Sequence, residues 1–212
     1  MSTVDDFVLS RYTSLRDGVV VRAEADGDHV RILRSADRPV RFGVVQLPDV
    51  HAADIAPLFD GDVDYIVNIP RAGIFQHDAI ELCLEEGVAW GGLGDSMRAV
   101  RLEDPQRYIP PSHEFVWKGL NRHSHVQSVQ FVDSRRLLVT RVGGLPPLVL
   151  YIENTYQAEV ASVRFAIDRC SPFDIFVAID PNAGPTRQAI AAAENAGAEI
   201  LRWPDTLRRL RR

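Results

Sequence analysis

The chain has 212 residues, 46% apolar and 25% charged, with a net charge of −5 at pH 7. No apolar run approaches the ~18 residues of a membrane span, and the acidic start MSTVDDFVLSRY has no basic stretch followed by an apolar one, so a cytosolic protein without a secretion signal is expected. Cys83 and Cys170 stand in helix-like stretches without a C-x-x-C or His/Cys cluster, which argues against a metal or disulfide framework and for two packed thiols.

In chain order, Val4, Phe7, Val8, Tyr12 and Leu15 fall at helical spacing, with Thr3 or Asp5 placed to cap the start. Asp17-Gly18 turns the chain into Val19–Ala23, and Gly27-Asp28 precedes His29–Leu33, a pairing that predicts a β-hairpin. A strand over Val40–Leu47 ends at Pro48, and Asp49–Phe59 reads as a helix. Then come a buried strand at Tyr65–Ile69, an amphipathic helix over Gln76–Glu86 closed by Gly87, a strand at Val88–Trp90, and a short helix capped by Gly94-Asp95 and running through Val100. Leu102–Ser112, with three prolines, reads as a junction.

Beyond the junction the order repeats: a helix over His113–Asn121, a hairpin of Val126–Val132 with Arg135–Val142, and a strand at Leu148–Ile152. A helix over Ala158–Cys170, a strand at Ile175–Ile179, a helix over Thr186–Ala196, a strand at Glu199–Arg202 and a helix at Asp205–Leu210 complete it. Sliding Asp64–Val100 onto Asp174–Leu210 without a gap gives eight identities in 37 positions, among them Asp64 on Asp174, Gly87 on Gly197, Asp95 on Asp205 and Arg98 on Arg208. With indels, Asp6-Phe7-Val8 falls on Glu114-Phe115-Val116, and Pro39 with Gln46 on Pro146 with Glu153. The expectation is a duplicated α/β module: copy 1 over residues 1–101, a linker over 102–112 and copy 2 over 113–212, each a mixed sheet flanked by helices.

A helix, a three-strand meander, a crossing helix and further strands resemble the core of the restriction endonuclease-like superfamily, the PD-(D/E)xK nucleases, and the closing strand, Ala-rich helix, Gly, strand and short helix are similar to its Mrr-like members. The resemblance implies two tandem degenerate copies packed as an intrachain pseudo-dimer. In that family an acid early in the second strand and a Glu or Gln closing the third hold a divalent metal, and a Lys two residues on positions the attacking water. Carried onto copy 2, this makes Asp133 and Glu153 ligands of Mg²⁺ or Mn²⁺, with Thr155 at the lysine position. Glu114 and Lys118, four apart on one helix face, would supply an auxiliary acid and a group orienting the water. Copy 1 has Asp26 or Asp28, then Gln46, then Pro48 where the lysine belongs, and is expected to be inactive. The ordinary alternative for copy 2 is a surface Glu–Lys pair, an aspartate in a hairpin turn and a glutamate at a strand end.

Charge divides unevenly: residues 1–106 carry 10 Arg against 19 Asp and Glu, a net of −9, while residues 107–212 carry 14 Arg and Lys against 10 acids, a net of +4. Nucleic acid is therefore expected at copy 2, where Arg202, Arg208, Arg209, Arg211 and Arg212 form a basic end, and a protein partner at acidic copy 1. His123 and His125 lack a third metal ligand at matching spacing, and Asp180–Thr186 reads as a structural loop with Thr186 as N-cap, since it contains no phosphate-binding glycine motif. Three functions stay open: nucleic-acid binding with metal-dependent nuclease chemistry in copy 2, as in phage defence or DNA repair; an inactive protein-interaction scaffold; and a small-ligand sensor.

Overall fold

The chain divides between Pro110 and Pro111 into two units, and the computed structural model describes residues 6–15, 17–153, 158–180 and 184–212. The expected cap at Thr3 or Asp5, the lysine-equivalent Thr155 and the centre of the Asp180–Thr186 loop lie outside them. The first unit runs α1 (Asp6–Thr13), β1 (Val20–Asp26), β2 (His29–Arg34), β3 (Val40–Val45), β4 (Asp49–Val50), α2 (Ala52–Ile55), β5 (Tyr65–Asn68), β6 (Ile74–Phe75), α3 (His77–Glu85), β7 (Ala89–Gly92) and α4 (Leu93–Ala99). The second runs α5 (Pro111–Asn121), β8 (Val126–Asp133), β9 (Arg136–Arg141), β10 (Leu148–Glu153), α6 (Val160–Cys170), β11 (Ile175–Ala178), α7 (Arg187–Asn195), β12 (Glu199–Arg202) and α8 (Trp203–Arg209).

Each unit is a mixed α/β layer with one five-stranded sheet. The orders are β1-β2-β3-β5-β7 and, read from the same edge, β8-β9-β10-β11-β12. The first three strands are antiparallel and the remaining pairings parallel, because the hairpins reverse the chain at once whereas the later strands are joined through helices. Central strands β5 and β11 are buried along their whole length, which is why Tyr-Ile-Val-Asn and Ile-Phe-Val-Ala lack polar alternation. Val8 and Tyr12 of α1, and Val116 and Leu120 of α5, enter the two cores at matching positions and are fully buried.

The crossing element differs between the units. Asp49–Phe59 is not one helix: a two-residue strand pairs with β6, α2 lasts one turn, and Pro57 sits in the 3₁₀ turn Ala56–Leu58, where it cannot donate to a continuing helix. In the second unit α6 fills that place with eleven residues. Helices α4 and α8 start two residues earlier than their aspartates suggest: Gly92 and Arg202 are the caps, and Asp95 and Asp205 lie one turn inside, each bound to the arginine three residues on.

Three features recur at matching places. Gly87 and Gly197 end α3 and α7 with φ of 67° and 77°, a conformation that a Cβ would strain. Asp64 and Asp174 each accept from the backbone N–H beside the first residue of the third strand, Arg41 at 3.1 Å and Val149 at 2.7 Å. The last residue of β2 is Arg34, buried, donating from Nε to Arg38 O at 2.8 Å and from its terminal nitrogens to the carbonyls of Val100, Leu102 and Glu103 at 3.4, 2.5 and 3.2 Å. The last residue of β9 is Arg141, equally buried, donating to Pro146 O at 2.7 Å, Leu210 O at 3.5 Å and Arg212 O. Burial lowers the pKa of both guanidiniums, yet such groups stay charged at any ordinary pH.

Arg34→Ala or Arg141→Ala removes the donor from several carbonyls at once, and each is expected to lower unfolding free energy by roughly 2–3 kcal/mol. Lysine recovers little, since one ammonium cannot span carbonyls on two segments. Urea unfolding followed by circular dichroism checks this, and a change below about 0.5 kcal/mol, the scale of an exposed ion pair, refutes it.

Candidate functional site

The segments that the sequence marked in the second unit do meet at one end of the sheet. The His113 ring at the start of α5 lies within hydrogen-bonding distance of Ser134 O in the β8–β9 turn, Nε2 to oxygen 2.9 Å, and Ile152 N near the end of β10 donates to Arg135 O at 2.8 Å. Among the described residues no group of three or more His, Cys, Asp or Glu is placed to hold a metal ion.

The reason is clearest at Asp133. Its Oδ1 accepts from the backbone N–H of Arg135 at 2.7 Å and of Arg136 at 2.8 Å, and its Oδ2 accepts from Arg136 Nε at 2.7 Å. The residue is 1% exposed, so both oxygens are committed to closing its own hairpin. Arg136 in turn donates to Pro172 O at 3.1 Å. Glu114 and Lys118 form an ion pair along the exposed face of α5, and Glu153 ends β10, half-buried beside Ala178 of β11.

Register also corrects the match between the copies. Gly43 pairs with His29 and Tyr151 with Arg136, so Glu153 corresponds to Val45 rather than to Gln46; one extra residue in the β9–β10 loop accounts for the slip. A slip of one exchanges the faces of a strand, and Gln46, exposed beyond the end of β3, has no counterpart in Glu153. Asp26, not Asp28, is the counterpart of Asp133, since Asp26 closes β1 opposite His29 as Asp133 closes β8 opposite Arg136. Asp26 is exposed and bound to Arg41 at 2.9 Å.

The chain matches no family model, no curated protein and no solved structure. Its chemistry has to be read from its own geometry.

The five arginines of the basic end have unlike surroundings. Arg208 is paired with Asp205, Arg209 with Glu199 at 2.8 Å, and the carbonyl of Arg212 is held by Arg141. Arg202 and Arg211 are exposed and have no ion pair among the described residues. Both thiols are free and buried, and burial pushes Cys83 up to about 12 and Cys170 up to about 11, so neither is a nucleophile at neutral pH.

Two features were missed in the sequence. A cleft of about 390 Å³ in the first unit is lined by Arg31, Arg38 and Arg41 together with Asp26, Asp62 and Asp64; Arg38 is tied to Asp64 and Arg41 to Asp26 and Asp60, so most of its charge is spent internally. In the second unit Trp203 of α8 packs into a gap on α5, where a Cβ on Gly119 would come 2.3 Å from the indole. A glycine inside a helical pattern, costly by about 1 kcal/mol, was the available signal.

Asp133→Ala is expected to destabilise the second unit by about 2–3 kcal/mol through the freed hairpin donors, whereas Glu114→Ala and Lys118→Ala should each change stability by less than about 0.5 kcal/mol. Thermal unfolding with and without Mg²⁺ or Mn²⁺ checks both statements: a metal-dependent stabilisation of the parent chain that Asp133→Ala removes would contradict a purely structural aspartate.

Proposed function

We propose that the chain is a pair of catalytically empty restriction endonuclease-like units that acts by binding, the second unit holding a nucleic-acid backbone. The antiparallel meander continued by parallel strands supports the family reading, since it is the strand arrangement that the resemblance implies. The observation that carries the non-cleaving part is the commitment of both oxygens of the buried Asp133 to hairpin donors, which occupy three of the carboxylate's roughly four lone-pair sites. Charge supports the choice of unit: residues 1–110 carry 11 Arg against 19 acids, a net of −8, and residues 111–212 carry 13 Arg and Lys against 10 acids, a net of +3.

A second reading, a protein scaffold docked through the first unit, is favoured by that same −8, which repels a polyanion and suits a basic protein surface.

Fluorescence anisotropy with labelled DNA and RNA at 50 and 200 mM salt separates the readings. Binding by the second unit predicts affinity that falls steeply with salt, is weakened several-fold by Arg202→Ala with Arg211→Ala, and is accompanied by no degradation in Mg²⁺ or Mn²⁺. Degradation abolished by Glu153→Ala would reinstate the nuclease, and the absence of any salt-sensitive binding would leave the scaffold.

A further inference from the structure

Helices α5 and α8 lie side by side and run in the same direction. Phe115 and Gly119 meet Trp203, the ring centroids of Phe115 and Trp203 being 5.4 Å apart, and His123, one turn further along, neighbours Leu207 and Arg211. The seam between the helices is aromatic at its start: Phe115 is 48% exposed and Trp203 half-buried. It is cationic at its end, about 12 Å further on at 1.5 Å per residue. There Arg122 continues α5, Arg211 continues α8, and the rings of His123 and His125 stand 5.6 Å apart. None of these four has a carboxylate partner among the described residues.

The ordinary account of such a corner is that cations gather where helices end, because the last carbonyls and the helix dipole favour them. The first unit tests that account. It has the same two helices, α1 and α4, ending on the same core, and among the described residues at that end no cation stands without an acid. Ser14 and Leu15 stand where the second unit has Arg122 and His123, and the counterpart of Arg211 is Arg101, neutralised by Asp17 at 2.5 Å. That hydrogen bond lowers the pKa of Asp17, so the pair stays ionised. At the other end of the seam the first unit has Arg11 and Leu93 in place of Gly119 and Trp203. Fold requirements are thus met by either set: Phe7 already stands where the second unit has Phe115, and the second unit differs in setting Trp203 against that ring, removing the acid and exposing arginine.

These observations point to one ligand chemistry: an unpaired base to lie on the aromatic end and a phosphate to meet the cationic end. Resting on the nucleic-acid reading above, we infer that the α5–α8 seam is a binding site for single-stranded nucleic acid, with Phe115 and Trp203 as the stacking pair and Arg122 and Arg211, beside His123 and His125, as the phosphate contacts. A duplex keeps its bases stacked on each other and offers the seam only backbone, so it is the poorer ligand.

The test uses the full chain with a fluorescein-labelled oligo(dT) 20-mer and the same strand annealed to its complement, by anisotropy at 50 mM salt and upward. The expected result is tighter binding of the single strand. Trp203→Leu, which installs the first unit's residue, and Phe115→Ser should each weaken single-strand binding by about fivefold or more, the lower range for loss of one stacked base. Arg122→Ser with Arg211→Ser should reduce the slope of log K against log salt by about 1.4 for the two charges. Phe115→Ser, at an exposed position, carries the test should Trp203→Leu unfold on a thermal melt. Equal or tighter duplex binding, or single-strand binding untouched by the aromatic substitutions, overturns the seam and leaves the nucleic-acid reading standing. Failure of the parent chain to bind either oligonucleotide overturns both, and an acidic peptide competing away all binding assigns the corner to a protein partner instead.

Discussion

Each unit depends on one buried guanidinium. The second strand ends in arginine, Arg34 or Arg141, and that side chain reaches across to the carbonyls left open where the last helix stops. Few side chains could serve: the acceptors lie on two separate segments, the guanidinium itself is buried, and only a planar fork with five donors satisfies them together. The two arginines are 107 residues apart, while the helix-end carbonyls, Val100 with Leu102 and Leu210 with Arg212, are 110 apart. The difference is one residue between the second and third strands and two in the segment that crosses from the third strand to the central strand, where the units already differ. Connections have changed length, and the stitched contact has stayed.

The same reasoning separates structural aspartates from catalytic ones. Asp64 and Asp174 both bind the backbone at the start of the third strand and lock the approach to the central strand, so an acid there follows from the fold. Asp26 and Asp133 share a position but not an environment. The first is exposed and serves an arginine two strands away, on β3; the second is buried and serves the turn that follows it. An acid at a strand end beside a turn has a local use for its lone pairs, and that use is met before any metal arrives.

Much of the α/β layer was legible because its elements advertise themselves locally. Thr186 was readable as a cap, and its hydroxyl accepts from Ala189 N at 3.1 Å; Gly87 and Gly197 were readable as helix ends. Other elements were ambiguous in principle. An aspartate is favourable both as a cap and within the first turn, so Asp95 and Asp205 dated their helices two residues late. The short α2 was hidden because Pro57 suits a 3₁₀ turn as well as a helix start. The register of β10 turned on a loop insertion that leaves no mark in hydrophobic pattern, and Glu153 was consequently matched to the wrong residue. The carboxylate set was legible as composition only, because nothing in the sequence says which N–H groups will face Asp133.

What distinguishes the two units lies where the fold exerts little force. Exposed ion pairs contribute tenths of a kcal/mol, so a surface can move from −8 to +3 while the core, the buried arginine and the strand-leading aspartate stay as they were. Drift alone would scatter such changes over many faces. Here the loss of an acid, the gain of arginine and the exchange of leucine for tryptophan fall along one seam, and the tryptophan needs the compensating loss of a side chain at Gly119 on the facing helix. Glycine in a helix interior carries a cost that a neutral surface has no reason to bear. The coupled pair Gly119 and Trp203 is therefore the point at which the second unit departs from the requirements of folding and begins to answer to something outside the chain.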